Sequence, residues 1–235
     1  MKLSIIIPAY NESARLRSTL EAVISFAQLE LSEWEIVVVD DGSMDDTASV
    51  VRDFSSVKYV RNVKNSGKGF SVRRGISAST LDPVLFSDAD LSTPIAEALS
   101  LMKAIKEGAD MAIASRQPRS GKKVLRTPLR KWRSAIFRVL VKVIALRGFH
   151  DTQCGFKMFR RPVAQSLFSL QRLDRFGFDV ELLYIARKLR FKVIEVPVEW
   201  REGTKTSLKL STPLSMLGDL LSIRWNDWRG HYGRG

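Results

Sequence analysis

Apolar runs and helical stripes alternate along the first half of the chain. Residues 3–8 form a short apolar run, and residues 13–29 carry helical spacing through Leu16, Leu20, Val23 and Ile24. A second apolar run, 35–39, ends at Asp40-Asp41-Gly42-Ser43. Residues 45–54 read as a helix, 57–60 as a strand, 69–78 as a helix, 84–87 as a strand, 94–106 as a helix and 109–114 as a strand. Strands alternating with helices predict βαβ units, hence an α/β fold with a mainly parallel central sheet and helices on both faces. In such sheets ligands bind beyond the carboxyl ends of the strands. Pro8 to Glu12, Asp40 to Ser43 and Asp88 to Asp90 all fall at those ends, so three polar clusters are expected on one sheet edge.

The second half changes character. Residues 116–127 read as a basic loop, and 129–146 as a helix with Trp132, Ile136, Val139, Leu140 and Val143 on one face and Lys131, Arg138 and Lys142 on another. That pattern fits a helix packed on the core or one lying in a membrane interface with basic flanks near anionic headgroups. Residues 150–161 read as a loop leading into a strand, 174–189 as a helix, 191–200 as the last strand and 201–211 as a polar loop. A final helix begins at Pro213 and uses Leu214, Leu217, Leu220, Leu221 and Trp225. With no internal repeat and no low-complexity linker, the expected organisation is one domain over 1–211, including the basic loop and amphipathic helix at 116–147, followed by a C-terminal helix and tail at 212–235.

Composition narrows the class. At 45% hydrophobic and 27% charged residues the 235-residue chain is globular rather than disordered. A single cysteine, Cys154, excludes an internal disulfide and a cysteine-based zinc cluster and points to an intracellular protein. The chain opens directly on a strand pattern, so no signal peptide is expected, and no apolar run is long enough to span a bilayer. The formal net charge of +13 calls for an anionic partner. The excess is uneven: from Arg116 to Arg147 there are eleven Lys and Arg and no Asp or Glu. The basic run favours the interface reading of the helix at 129–146.

Candidate chemistry centres on Asp88 and Asp90. In an extended segment residues i and i+2 point the same way, so both carboxylates are expected at one point beyond a strand end. Two carboxylates that close repel unless a cation sits between them. A hard divalent ion completed by substrate phosphates fits this arrangement; a strand-to-helix turn capped by Asp90 or Ser92 fits it as well. Asn65-Ser66-Gly67-Lys68-Gly69 reads as an anion cradle at a helix start or as a plain loop. It matches neither a Walker A motif nor a dinucleotide fingerprint. Asp40 and Asp41 suit either a nucleobase N–H or a tight turn. No nucleophile set is present, and His150 and His231 lack metal-ligand spacing. The acidic clusters and the lack of interleaved aromatic and basic residues argue against the rival reading, a nucleic-acid-binding protein.

Ile5-Ile6-Ile7-Pro8-Ala9-Tyr10-Asn11-Glu12, Val37-Val38-Val39-Asp40-Asp41-Gly42-Ser43, Gly67-Lys68-Gly69 and Asp88-Ala89-Asp90, in this order and spacing, resemble the family 2 glycosyltransferases. Asp151 to Lys157 and Phe178 to Ala186 continue the likeness, which is greatest to the dolichyl-phosphate β-glucosyltransferases and their relatives, the mannose synthases. The resemblance implies a Rossmann-like GT-A fold and an inverting transfer of a hexose, glucose first and UDP-glucose as donor, to dolichyl or polyprenyl phosphate. GDP-mannose as donor and a saccharide as acceptor stay open. It implies Mg²⁺ or Mn²⁺ on Asp88 and Asp90, with Ser92 standing where some relatives have a third ligand. It places Pro8, Tyr10, Glu12, Asp40, Asp41, Lys68 and Arg201 around the nucleotide and its diphosphate. Arg116, Arg130 and Ser134 would hold the acceptor phosphate, and Asp151 would orient sugar or acceptor. The expected location is the cytoplasmic face of a membrane, held peripherally through anionic lipids.

Overall fold

The computed structural model describes residues 1–116, 148–201 and 212–233, the side chains of 212–216 excepted. The strands β1 (Lys2–Ala9), β2 (Glu33–Asp40), β3 (Val57–Arg61), β4 (Val84–Ser87), β5 (Met111–Ser115), β6 (Phe156–Phe159) and β7 (Val193–Pro197) form one sheet. Its order is β3-β2-β1-β4-β6-β5-β7. The helices are α1 (Ser13–Glu30), α2 (Thr47–Arg52), α3 (Lys68–Ala78), α4 (Ala98–Lys106), α5 (Arg161–Leu170), α6 (Phe178–Lys188) and α7 (Thr212–Trp228). A single 3₁₀ turn, Ile95–Glu97, leads into α4.

Alternate strand residues face opposite sides of the sheet, and both sides are covered as expected. Leu3, Ile5, Ile7, Ile36, Val38 and Leu85 join Leu16, Leu20 and Val23 of α1 and Leu101 and Met102 of α4 in one buried cluster. Ile6, Val37, Val39 and Phe86 join Val72 and Ile76 of α3, Leu167 of α5, Phe178 and Leu182 of α6 and Leu220 and Ile223 of α7 in the other. A strand buried on both faces reads as a continuous apolar run, which is why β1 and β2 stand out in the sequence.

The sheet is mainly parallel, with β6 antiparallel to both neighbours through Ser87↔Phe156 and Met111↔Phe159. Ser87 and Ser115 end strands that run toward the polar edge, and Phe156 opens one that runs away from it. The chain therefore leaves the sheet at Arg116 and re-enters at Gly155 on the same edge, so the whole excursion between them starts and finishes at the candidate site. The expected loop and helix at 116–147 lie, beyond Arg116, outside the described residues.

Two local expectations change. Helix α5 was not anticipated; it starts with Pro162 in its first turn and buries Val163, Ala164, Leu167 and Phe168. The stripe expected on the final helix is divided: Leu220 and Ile223 are buried, whereas Leu221, Trp225 and Trp228 are 57%, 53% and 78% exposed. Leu220 and Ile223 join the buried cluster that includes α6, to which α7 is tied by Asp227 pairing with Lys188 and accepting from Tyr184 Oη at 2.6 Å. Among the described residues no helix is long and apolar enough to cross a membrane.

Candidate active site

Strand β4 ends at Ser87, and Asp88 stays tied to the sheet by its N–H donating to Gly155 O at 3.0 Å. The backbone then turns: Leu91 N–H donates to Asp88 O at 3.3 Å, and Leu91 has φ 44°. The two aspartates thus meet across a turn, not along an extended strand as expected from their i, i+2 spacing. Asp90 Oδ1 accepts Ser92 N–H at 2.9 Å, closing the turn locally; the expected helix cap is not formed, because the following helical turn begins only at Ile95, with Pro94 before it and no side-chain cap. Burial raises the Asp88 pKa; Lys68 opposes the rise, and the charges of Asp179 and Asp90 add to it. Burial also raises Glu12, against the pull of Arg15 and with the charges of Asp90, Asp45 and Asp88 pushing the same way. The first and third polar clusters therefore feel each other across the edge.

Beneath them lies an alternating set of charges. Lys68 Nζ sits 2.5 Å from Asp88 Oδ1. Lys157, fully buried, pairs with Asp179 and donates to Cys154 O at 2.6 Å. Both ammonium groups lie over the Phe86 ring, Lys68 at 5.6 Å and Lys157 at 5.3 Å from its centroid, within cation–π range. Asp179 belongs to the first turn of α6, where the helix dipole favours an acid. Breaking such a buried pair by removing one partner costs about 3–5 kcal/mol. The sequence reading assigned Lys157 and Asp179 no role; the available signal was charge inside otherwise apolar runs.

Gly155 makes room for the central carboxylate. A Cβ there would fall 2.0 Å from Asp88 Oδ2, so any side chain would displace it. Gly67, at φ 109°, is fixed equally closely: its Cβ would meet Asp174 O at 2.3 Å.

Asp40 and Asp41 turn inward. Asp40 accepts Ser43 N–H at 2.7 Å and Tyr59 Oη at 2.6 Å. Asp41 accepts Asn62 Nδ2 at 2.6 Å, Ser66 N–H at 2.9 Å and Gly67 N–H at 2.8 Å. The expected anion cradle at 65–69 is thus partly filled from within, the N–H groups of Ser66 and Gly67 being held by Asp41. A nucleobase N–H would have to compete with these donors. Asn11 N–H donates to Ser43 Oγ and Glu12 N–H to Thr47 Oγ1, stitching the first cluster to the second. Pro8 is buried in β1, and Tyr10 is 41% exposed at the edge.

Arg116 and Asp151 engage each other. Arg116 donates from Nε at 2.6 Å and from its terminal nitrogen at 2.7 Å, a bidentate clamp, while its backbone N–H adds a third bond at 3.0 Å. Its guanidinium lies over the Trp200 ring at 5.8 Å. Burial alone would raise the Asp151 pKa, but the hydrogen bonds and charge of Arg116 outweigh it and hold the carboxyl below its ordinary value. That makes Asp151 a poor general base and an anchor for Arg116. Arg201 donates its N–H to Ser92 O at 2.8 Å, strapping the segment after β7 to the aspartate turn, and its side chain pairs with Glu199. Arg130 and Ser134 lie outside the described residues.

The donor set fits a hard divalent ion. Asp88 and Asp90 each give one oxygen to a protein donor and keep a second, and Gly155 clears the space beside Asp88. Among the described residues no group of three or more His, Cys, Asp or Glu could hold a metal. Two carboxylates suit Mg²⁺ or Mn²⁺, which complete their shell with water and substrate phosphates.

The fold is GT-A-like. Crystal structures of glucosyl-3-phosphoglycerate synthase from Mycobacterium tuberculosis match it, one of them in complex with Mn²⁺, UDP-glucose and phosphoglyceric acid. That one aligns with a TM-score of 0.73 at 20% identity, over 100% of this chain and 80% of the other. Residues 4–168 match the Glycosyl transferase family 2 model. One dolichyl-phosphate beta-glucosyltransferase of Trichomonas vaginalis is 38% identical over 233 residues, 93% of this chain and 69% of its own. The human dolichyl-phosphate beta-glucosyltransferase is 34% identical over 243 residues, 95% of this chain and 75% of its own. The chain belongs to glycosyltransferase family 2, and it is a glycosyltransferase.

The Arg116–Asp151 clamp predicts a pH-dependent stability. Because the folded pKa of Asp151 is lowered, its contribution is complete above the unfolded value of about 3.9 and is lost as pH falls through the folded value. Urea denaturation should show Asp151→Asn less stable by about 3 kcal/mol at neutral pH, since Arg116 is left partly buried without its partner. The gap between variant and wild type should close in acid.

Proposed function

We propose that the protein transfers glucose from UDP-glucose to dolichyl or another polyprenyl phosphate, with inversion and with Mg²⁺ or Mn²⁺. The observation that carries this reading is the pairing of Asp88 with Lys68, next to Asp90, on the edge where the strands of a GT-A-like sheet end. The names of the relatives supply the sugar and the lipid, and the ligands of the structural neighbour supply the donor and the metal.

The chemistry asks for charge stabilisation more than for a base. A divalent ion on Asp88 and Asp90 would neutralise the leaving diphosphate. Lys68, fixed at the start of α3, supplies a second positive charge to the same oxygens. The exposed ring of Tyr10 offers a face for the nucleobase, and Asp40 and Asp41 hold the loops that shape its pocket. A phosphate acceptor is already anionic at neutral pH, so its oxygen attacks without a strong base. The clamped, acidified Asp151 agrees with that economy: it positions Arg116, whose cation faces the acceptor phosphate. Attack opposite the diphosphate converts an α-linked donor to a β-linked product.

A polyprenyl acceptor would bring the enzyme to a membrane surface as a peripheral protein, on the cytoplasmic side in this proposal. The outer face of α7 supports this. Leu221, Trp225 and Trp228 are exposed together, the two indoles 5.2 Å apart, with Arg229 4.8 Å over Trp225. Tryptophan beside arginine suits the boundary between headgroups and acyl chains, and the charge of +13 favours anionic lipid.

Full-length protein incubated with Mn²⁺ or Mg²⁺, polyprenyl phosphate and a panel of nucleotide sugars should form a β-glucosyl lipid from UDP-glucose. Asp88→Asn and Asp90→Asn should each lower turnover roughly 100-fold or more while remaining folded. No glycolipid from any donor, or near-normal turnover in either variant, would overturn the reading. In flotation, Trp225→Ser/Trp228→Ser should lose binding to vesicles containing phosphatidylserine; unchanged flotation would remove α7 from the interface.

A further inference from the structure

We infer that Lys68 is a charge gate on the metal site: it holds Asp88 in the free enzyme and releases it when a nucleoside diphosphate arrives. The inference rests on the reading of Asp88 and Asp90 as metal ligands and adds an order to the binding.

Three observations carry it. Lys68 Nζ occupies Asp88 Oδ1 at 2.5 Å, so a divalent ion and an ammonium compete for one carboxylate. Lys68 is also the first residue of α3. A cation there opposes the helix dipole, whose positive end favours anions, so the ammonium depends on the carboxylates it meets. The third observation is its mounting. The Gly67 N–H is held by Asp41, Gly67 itself has no room for a Cβ against Asp174 O, and Phe70 N–H donates to Asp174 O at 3.0 Å. The backbone of Lys68 is thus fixed, while its ammonium rests over Phe86 and Phe178 at 5.6 and 5.9 Å. A long side chain on a fixed base above aromatic faces can swing between two anions without moving the fold.

A diphosphate at this edge is the stronger of the two anions. It draws the ammonium away from Asp88, whose freed oxygen then turns to the metal, and the displaced charge is kept near the leaving group. Metal and nucleotide therefore bind cooperatively, and by linkage each raises the affinity for the other by the same factor. The free enzyme gains from this arrangement because Asp88 and Asp90 are not left as an uncompensated pair.

The test reads metal binding rather than transfer. Mn²⁺ affinity of the full-length protein is measured by electron paramagnetic resonance with and without UDP, for wild type and Lys68→Met. The variant should bind Mn²⁺ alone roughly 10-fold tighter than wild type, and the gain from adding UDP should shrink. Lys68→Met/Asp88→Asn should lose the tight binding, which locates it at Asp88. Lys68→Gln provides a second neutral side chain should the Met variant fail to fold. Mn²⁺ affinity in the neutral variants equal to or weaker than wild type would overturn the gate. The proposed transfer fails separately: a wild type that forms no glycolipid, with the Mn²⁺ gain intact, leaves the gate standing and removes the glucosyltransferase reading.

Discussion

The ion pair between Lys68 and Asp88 is the constraint on which the rest of the edge depends. Neither charge is stable alone. The carboxylate is crowded by Asp90 and Asp179, and the ammonium sits at the wrong end of a helix dipole. Their neighbours answer both problems. Asp179 at the start of α6 faces Lys157, Phe86 presents its ring to both ammonium groups, and Gly155 withdraws its side chain so that Asp88 fits. On the proposed reading a diphosphate and a divalent ion would meet this set of charges on a fixed backbone, with only the Lys68 ammonium and the Asp88 carboxylate moving. Charge held in place beforehand is where electrostatic catalysis has its largest effect.

Around this centre the three polar clusters divide the labour. Asp40 and Asp41 build the walls, using their oxygens on Ser43, Tyr59, Asn62, Ser66 and Gly67. Tyr10 and Glu12 stay at the rim. Arg116 and Asp151 brace the point where the chain leaves β5, and Arg201 ties the strand-end loop after β7 to Ser92. The chain that leaves the sheet at Arg116 re-enters it at Gly155, whose carbonyl accepts the Asp88 N–H.

The layered fold was legible because β1, β2 and β4 are apolar runs ended by acids, and α1 has a single buried stripe. The antiparallel direction of β6 was not, since Phe156 to Phe159 would look the same in either sense; direction follows from where the chain comes from. Helix α5 hid because its short uncharged stretch has no capping signal beyond Pro162. On α7 two apolar stripes overlap, Leu220 with Ile223 and Leu221 with Trp225 and Trp228, and long-range packing with α6, not the local pattern, buries the first. In the candidate site, spacing singled out Asp88 and Asp90 but gave the wrong backbone geometry, because the left-handed Leu91 that closes the turn is not a residue type that announces one. The inward orientation of Asp40 and Asp41 and the Lys157–Asp179 pair arise from long-range contacts that no local pattern encodes.

The account stands on a divalent ion shared by Asp88 and Asp90 when a nucleoside diphosphate is bound. Anomalous diffraction from crystals of the full-length protein grown with Mn²⁺ and UDP tests this directly. The account predicts one Mn²⁺ peak within coordinating distance of both carboxylates and of the UDP phosphates, with the Lys68 ammonium moved from Asp88 to a phosphate oxygen. A Mn²⁺ ion bound elsewhere, or UDP seated on this edge with both aspartates unligated, would contradict it.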